Sequence, residues 1–133
     1  MHTREQVLAI ALSLPGAAAD QPFDGDFVST VLRHSGTGKW FGLLMRVPRE
    51  KVGLPGEGDT DILNLKCDPM LSYSLRQAFP DVLPAWHMNK HHWITVRLEG
   101  DLPQDQLRGL VELSYQLTRN KPPRRRPAGE AGK

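Results

Sequence analysis

Apolar residues Val7, Leu8, Ala11, Leu12 and Leu14 recur with the three-to-four spacing of one helix face. Thr3 and Gln6 form a capping box ahead of them and Pro15-Gly16 closes the segment, so the pattern predicts a helix from Thr3 to Leu14. A polar connection ending in Pro22-Phe23-Asp24-Gly25 follows. Phe27 to Arg33 is β-branched and apolar, and the turn His34-Ser35-Gly36-Thr37-Gly38 leads into Trp40 to Val47, which reads as two strands joined by a glycine-containing hairpin. Between Pro48 and Asp61 the breakers Pro48, Gly53, Pro55, Gly56 and Gly58 leave few apolar positions, as in a long exposed loop. A third strand spans Ile62 to Cys67. Asp68 as N-cap and Pro69 at the first helical position open a second helix, with Leu71, Leu75, Ala78 and Phe79 along one face, to about Phe79. Val82 to Trp86 reads as a short strand, and His92 to Glu99 alternates clearly before Gly100-Asp101. Pro103 starts a third helix, to about Asn120, with Leu107, Leu110, Val111, Ser114 and Leu117 on one face.

The order α-β-β-β-α-β-β-α predicts an α+β sandwich: an antiparallel sheet with helices on one face and the other face accessible. Alternation assigns the faces. Leu63, Leu65 and Cys67 lie on one side of the third strand, with Ile62, Asn64 and Lys66 on the other. In the last strand Ile94, Val96 and Leu98 form the apolar row. Trp93, Thr95 and Arg97 share the opposite face, where Asn64 and Lys66 join them if the strands are neighbours.

Composition narrows the class. The 133 residues are 39% hydrophobic, which excludes wholesale disorder and suits a single domain over residues 1–120. Charge is unevenly spread: from Lys121 to Lys133 five basic residues face one acid, a net +4, so the first 120 residues carry −2 of the total +2. Residues 121–133, with Pro122, Pro123, Pro127, Gly129 and Gly132, read as a basic, proline-rich disordered tail. The domain itself is nearly neutral. No apolar run is long enough for a membrane span, the start lacks the apolar stretch of a secretory leader, and the lone Cys67 excludes an intramolecular disulfide. A cytoplasmic protein is expected, with no membrane partner.

The segments Leu65-Lys66-Cys67-Asp68-Pro69, His87-Met88-Asn89-Lys90-His91-His92-Trp93-Ile94-Thr95-Val96, Leu98-Glu99-Gly100-Asp101-Leu102-Pro103 and Ser114-Tyr115 form a spaced set. As a set it resembles the MmcQ/YjbR family, most strongly between residues 62 and 120. Pro22-Phe23 and Phe41-Gly42-Leu43-Leu44 support the resemblance earlier in the chain. It implies a CyaY-like (frataxin-like) two-layer fold, a small cytoplasmic bacterial protein, and the double-wing DNA-binding role proposed for that family. It brings no catalytic residues.

The chemistry readable from the residues is sparse. His87, His91 and His92 lack the converging third and fourth ligands and the carboxylate that a metal site needs. The first helix holds only Glu5, far short of a frataxin-like acidic ridge. Cys67 falls on the apolar side of its strand, as a core thiol does. Gly36-Thr37-Gly38-Lys39 joins strands and lacks the phosphate-loop spacing. Gln104, Asp105 and Glu112 read as a solvated helix face. No catalytic constellation, metal or cofactor is expected.

His87, Asn89 and Lys90 sit together beside Trp93 in a connection between strands, where binding groups are commonly placed; a turn with positive φ at Asn89 is the structural alternative. The leading expectation is a non-enzymatic DNA-binding protein that contacts phosphates through Lys39 at the first hairpin tip, Lys66 and Arg97 on the sheet, and Lys90 in the second wing, with Trp93 stacking. The alternative is a small-molecule or protein-binding module using His87, Asn89, Lys90 and Trp93.

Overall fold

In the computed structural model, which describes residues 1–119, Thr3 caps the first helix as the sequence predicts. Its hydroxyl accepts from the Gln6 N–H at 3.1 Å and the Gln6 side chain accepts from the Thr3 N–H at 2.8 Å. This helix, α1, spans Arg4–Leu12. Six strands follow: β1 Ala17–Asp20, β2 Thr30–His34, β3 Trp40–Pro48, β4 Asp59–Lys66, β5 Val82–Pro84 and β6 Trp93–Arg97. Helix α2, Pro69–Ala78, lies between β4 and β5, and α3, Gln104–Thr118, ends the described chain. The strands form one antiparallel sheet in the order β1-β2-β3-β4-β6-β5. The expected α+β architecture is present, and the tail at 121–133 lies outside the described residues.

All three helices bury apolar side chains in a single cluster against one face of the sheet. Val7, Ile10 and Ala11 of α1, Leu75 of α2, and Leu107, Leu110, Val111 and Tyr115 of α3 meet Leu32, Leu44, Leu63, Leu65, Ile94 and Val96 there. Each fully buried Leu or Ile in such a cluster contributes about 1.5–3 kcal/mol through area removed from water. Ser114 fixes α3 on the sheet: its hydroxyl donates to the Phe41 carbonyl at 2.5 Å and accepts from the Lys66 N–H at 2.8 Å. Tyr115 packs edge-on to Phe41 and donates its hydroxyl proton to the Pro15 carbonyl. It takes the inward position, and Leu117, expected on the buried face, is 45% exposed.

Four other expectations are corrected. Ala17–Asp20, read as connection, is an edge strand registered with β2 (Ala17↔His34 to Asp20↔Val31); alanine carries no strand pattern, and tertiary pairing supplies what propensity does not. The second strand begins at Thr30 rather than Phe27, because the Asp26 carboxylate accepts from the Val28 and Ser29 N–H groups and holds a turn there. The segment from Pro48 to Asp61 is no simple exposed loop: it holds a 3-10 turn at Arg49–Val52 with Val52 buried, and β4 starts at Asp59. Finally, the sheet face away from the helices is largely closed. Val47, Val52 and Ile62 are buried on it, with Met45, Leu54, Leu83 and Trp86 packed around them.

Candidate functional site

Register places the residues that alternation grouped. Lys66 pairs with Trp93, Asn64 with Thr95 and Ile62 with Arg97 across β4 and β6. The row divides into three parts with different environments.

At one end, Lys39, Trp40, Lys66 and Trp93 line a hollow of about 300 Å³, closed on the helix side by Leu117 and Thr118 of α3. The Lys66 ammonium lies 5.6 Å from the Trp93 ring centroid, a cation–π distance. Trp40 is held edge-on by Phe23, with centroids 5.9 Å apart, and the Arg33 guanidinium lies 6.0 Å from its ring. Arg33 is in turn paired with Asp20 through Nε and Nη2, at 2.8 and 3.2 Å. Lys39 is exposed at the β2–β3 turn. Two ammonium groups and two half-buried indoles therefore converge, a combination suited to phosphates and to planar rings. Trp40 opens β3 and pairs with Arg33 just beyond a break in the β2–β3 register, so alternation along the strand does not show which way it faces. The β-bulge between Leu32 and Arg33 sets its position, and nothing in the chain's pattern announces it.

In the middle of the row, Asn64 and Thr95 are fully buried and form a polar clamp. The Thr95 hydroxyl donates to the Asn64 side-chain oxygen and accepts from the Trp86 N–H at 2.8 Å, and the Asn64 amide donates to the Trp86 carbonyl at 3.2 Å. Trp86 is thereby pinned over the sheet. The chain must turn away at once, and it does so at His87, whose φ of 59° is the described positive value outside glycine. A left-handed residue with a Cβ costs about 1–2 kcal/mol, held here by the clamp and by the Trp86 ring, 3.7 Å from the imidazole. Asn89, where a positive φ was the structural alternative to a binding role, does not take that conformation. Its side-chain oxygen accepts from the His91 N–H and its carbonyl from the His92 and Trp93 N–H groups, which closes the turn before β6. His91 and His92 are exposed.

At the far end Arg97, expected among phosphate contacts on an open face, is committed to the fold. Its Nε donates to Asp81 at 3.1 Å, its Nη1 to the Val52 carbonyl at 2.8 Å and its Nη2 to the Pro80 carbonyl at 2.7 Å. The Arg97 and Asp81 side chains are only 13% and 12% exposed. The second Asp81 oxygen accepts from the Asp101 N–H at 2.8 Å. Gly100 makes room for this carboxylate: a Cβ there would lie 2.0 Å from three Asp81 atoms. His87 and Lys90 border a separate groove beside Arg97, together with Lys51 and Trp86. The expected site residues thus separate into a hollow with Lys39, Lys66 and Trp93, a groove with His87 and Lys90, and two structural residues, Asn89 and Arg97.

Cys67 is buried, and burial raises its thiol pKa, the reverse of what a nucleophile needs. His34 is buried between Phe41 and Tyr115 with Nε2 2.8 Å from the Thr118 hydroxyl, and desolvation lowers its pKa. No helix in the described residues is long and apolar enough to cross a membrane.

The chain is similar to two bacterial proteins of uncharacterised role: YyaQ of Bacillus subtilis (strain 168), 41% identical over 90% of this chain and 100% of the relative, and YjbR of Escherichia coli (strain K12), 33% identical over 89% and 88%. Among solved structures, a Pseudomonas syringae protein superposes with a TM-score of 0.82 at 42% identity, covering 88% of this chain and 99% of that one. A Deinococcus radiodurans protein with a DUF419 domain superposes with a TM-score of 0.68 at 30% identity over 88% and 78%. The YjbR family model matches residues 12–117, which takes in the sheet, all of α2 and nearly all of α3, and the chain belongs to the YjbR family.

Proposed function

We propose that the protein is a non-enzymatic DNA-binding protein that holds phosphates with Lys39 and Lys66 and sets Trp93 against a base or sugar. One observation carries this reading: Lys39, Lys66, Trp40 and Trp93 converge on a single exposed hollow between the hairpin tip and the end of α3. Both lysines lack an ion-pair partner among the described residues, whereas Arg4, Arg33, Arg46, Arg49 and Arg97 are each paired with a carboxylate. Lys39 and Lys66 are therefore available to a polyanion at this edge of the sheet. Cys67, buried and with its thiol pKa raised by desolvation, is not set up as a nucleophile.

Fluorescence anisotropy with labelled single- and double-stranded oligonucleotides tests the reading. Lys39→Ala and Lys66→Ala should each weaken binding and reduce the slope of log affinity against log salt by about 0.7–0.9. Trp93→Ala should weaken binding roughly tenfold or more without changing that slope, since stacking releases no counterions. Affinity and slope insensitive to all three substitutions would refute it.

A further inference from the structure

A groove of about 670 Å³ runs between the 3-10 turn and the β5–β6 connection, a volume in the range of small-molecule sites. Its floor is apolar, built from Val52, Leu83, Ala85 and the Trp86 ring, and its rim carries Lys51, His87 and Lys90. Among the described residues no carboxylate lines it. Lys51 and Lys90 are exposed and make no ion pair among the described residues, while Arg97, which also borders the groove, is neutralised by Asp81. An apolar floor beneath two unneutralised ammonium groups is complementary to a compact anion with a flat hydrophobic body. It is ill suited to a polyanion, which would leave that floor uncovered.

The rim is also built rather than incidental. Asn64 and Thr95 pin both backbone groups of Trp86, and the left-handed His87 turns its imidazole toward the groove instead of the core. Gly53, at φ 74°, ends the 3-10 turn on the opposite side and leaves Lys51 at the lip. We propose that this groove is a binding site for a small organic anion, with a phosphate or carboxylate head between Lys51 and Lys90 and an aromatic or similarly flat body on Trp86 and Leu83. The site is independent of the Trp93 hollow.

The test is titration of the isotope-labelled full-length chain with 1-naphthyl phosphate, 1-naphthoate, neutral 1-naphthol and inorganic phosphate, followed by amide and indole NMR shifts. The proposal requires saturable shifts at Lys51, Gly53, Leu83, His87 and the Trp86 indole with at least one naphthyl anion. The ratio of the two anions identifies the preferred head. Naphthol and inorganic phosphate should each bind about tenfold more weakly or worse, a difference of about 1.4 kcal/mol. Lys51→Glu and Lys90→Glu should each weaken the anion about tenfold while leaving the melting temperature nearly unchanged, as expected for exposed lysines. Trp93→Ala should leave anion binding intact, so loss of DNA binding and loss of anion binding are separately readable. Absence of saturable shifts, shifts centred on Trp93 and Lys66, naphthol binding as tightly as the anions, or indifference to both charge reversals would each overturn it.

Discussion

Replacing Arg97 with alanine separates a structural arginine from a phosphate-contacting one. In the fold its guanidinium joins β6 to Asp81, to Pro80 and to Val52 of the 3-10 turn, with both charged side chains almost excluded from water. Arg97→Ala leaves the Asp81 carboxylate with only the Asp101 N–H as partner and leaves two carbonyls without their donor. Removing one member of a buried pair costs about 3–5 kcal/mol, and water reaching the vacated space through the groove argues for the lower end, about 3 kcal/mol. For a domain of this size that corresponds to a melting temperature lower by roughly 12 °C. Asp81→Asn added to Arg97→Ala should recover part of the loss, because the uncompensated charge disappears while an acceptor for Asp101 remains. Urea and thermal denaturation by circular dichroism on the two singles and the double give the cycle. A free surface arginine would change stability by no more than about 0.5 kcal/mol. A loss below ~1 kcal/mol, or no recovery from Asp81→Asn, would refute the structural role.

Gly100→Ala should destabilise by about 2–3 kcal/mol, since its Cβ would displace the Asp81 carboxylate, and the loss should not add to that of Arg97→Ala when the double variant is denatured in urea. Thr95→Val should cost about 2 kcal/mol, because it removes the partner of the buried Trp86 N–H and of the Asn64 oxygen; a shift in tryptophan emission should accompany it, and unchanged stability and emission would argue against the clamp. His34, whose folded-state pKa lies below its ordinary 6.5, favours folding fully above that pH and loses its contribution as pH falls below 6.5, because the unfolded chain then takes the proton first. His34→Gln should flatten that limb of a stability-against-pH curve. A second loss, at pH below about 4.5, should persist in the variant through Glu99 and Asp26, whose pKa values are lowered by hydrogen bonds with Arg49 and with the Ser29 and Val28 backbone.

Helices and central strands were legible because their signals are local. A capping box, a proline at the first helical position and an alternating Ile94, Val96, Leu98 row each depend on residues within a few positions of one another. Edge strand β1 was not legible, because three alanines become a strand only through pairing with Thr30–His34. The segments behind the family resemblance explain themselves structurally. Ser114-Tyr115 ties α3 to β3, β4 and Pro15, Gly100 admits the Asp81 carboxylate, and Cys67 is core. A pattern composed largely of fold-holding residues identifies the fold well and locates a binding surface poorly.

The site was half legible for a related reason. Alternation decides which way a side chain points, and Lys66, Asn64, Trp93, Thr95 and Arg97 do share one side of adjacent strands. Whether that side meets water depends on the path of the connections, here the 3-10 turn and the β5–β6 segment crossing the sheet. Asn64 and Thr95 have the polarity of surface residues and the burial of core ones, because a chain laid across a sheet brings peptide groups that need partners. Two polar residues facing each other on central strands are therefore as consistent with a covering segment as with an open face. The covering segment here was itself in plain view as Pro84-Ala85-Trp86-His87: a proline that ends the strand, then an indole that needs burial, before any further alternation. Reading the pair and that segment together predicts the clamp, and it moves the accessible surface outward from mid-sheet, to the Lys39–Trp93 edge on one side and to the Lys51–Lys90 groove on the other.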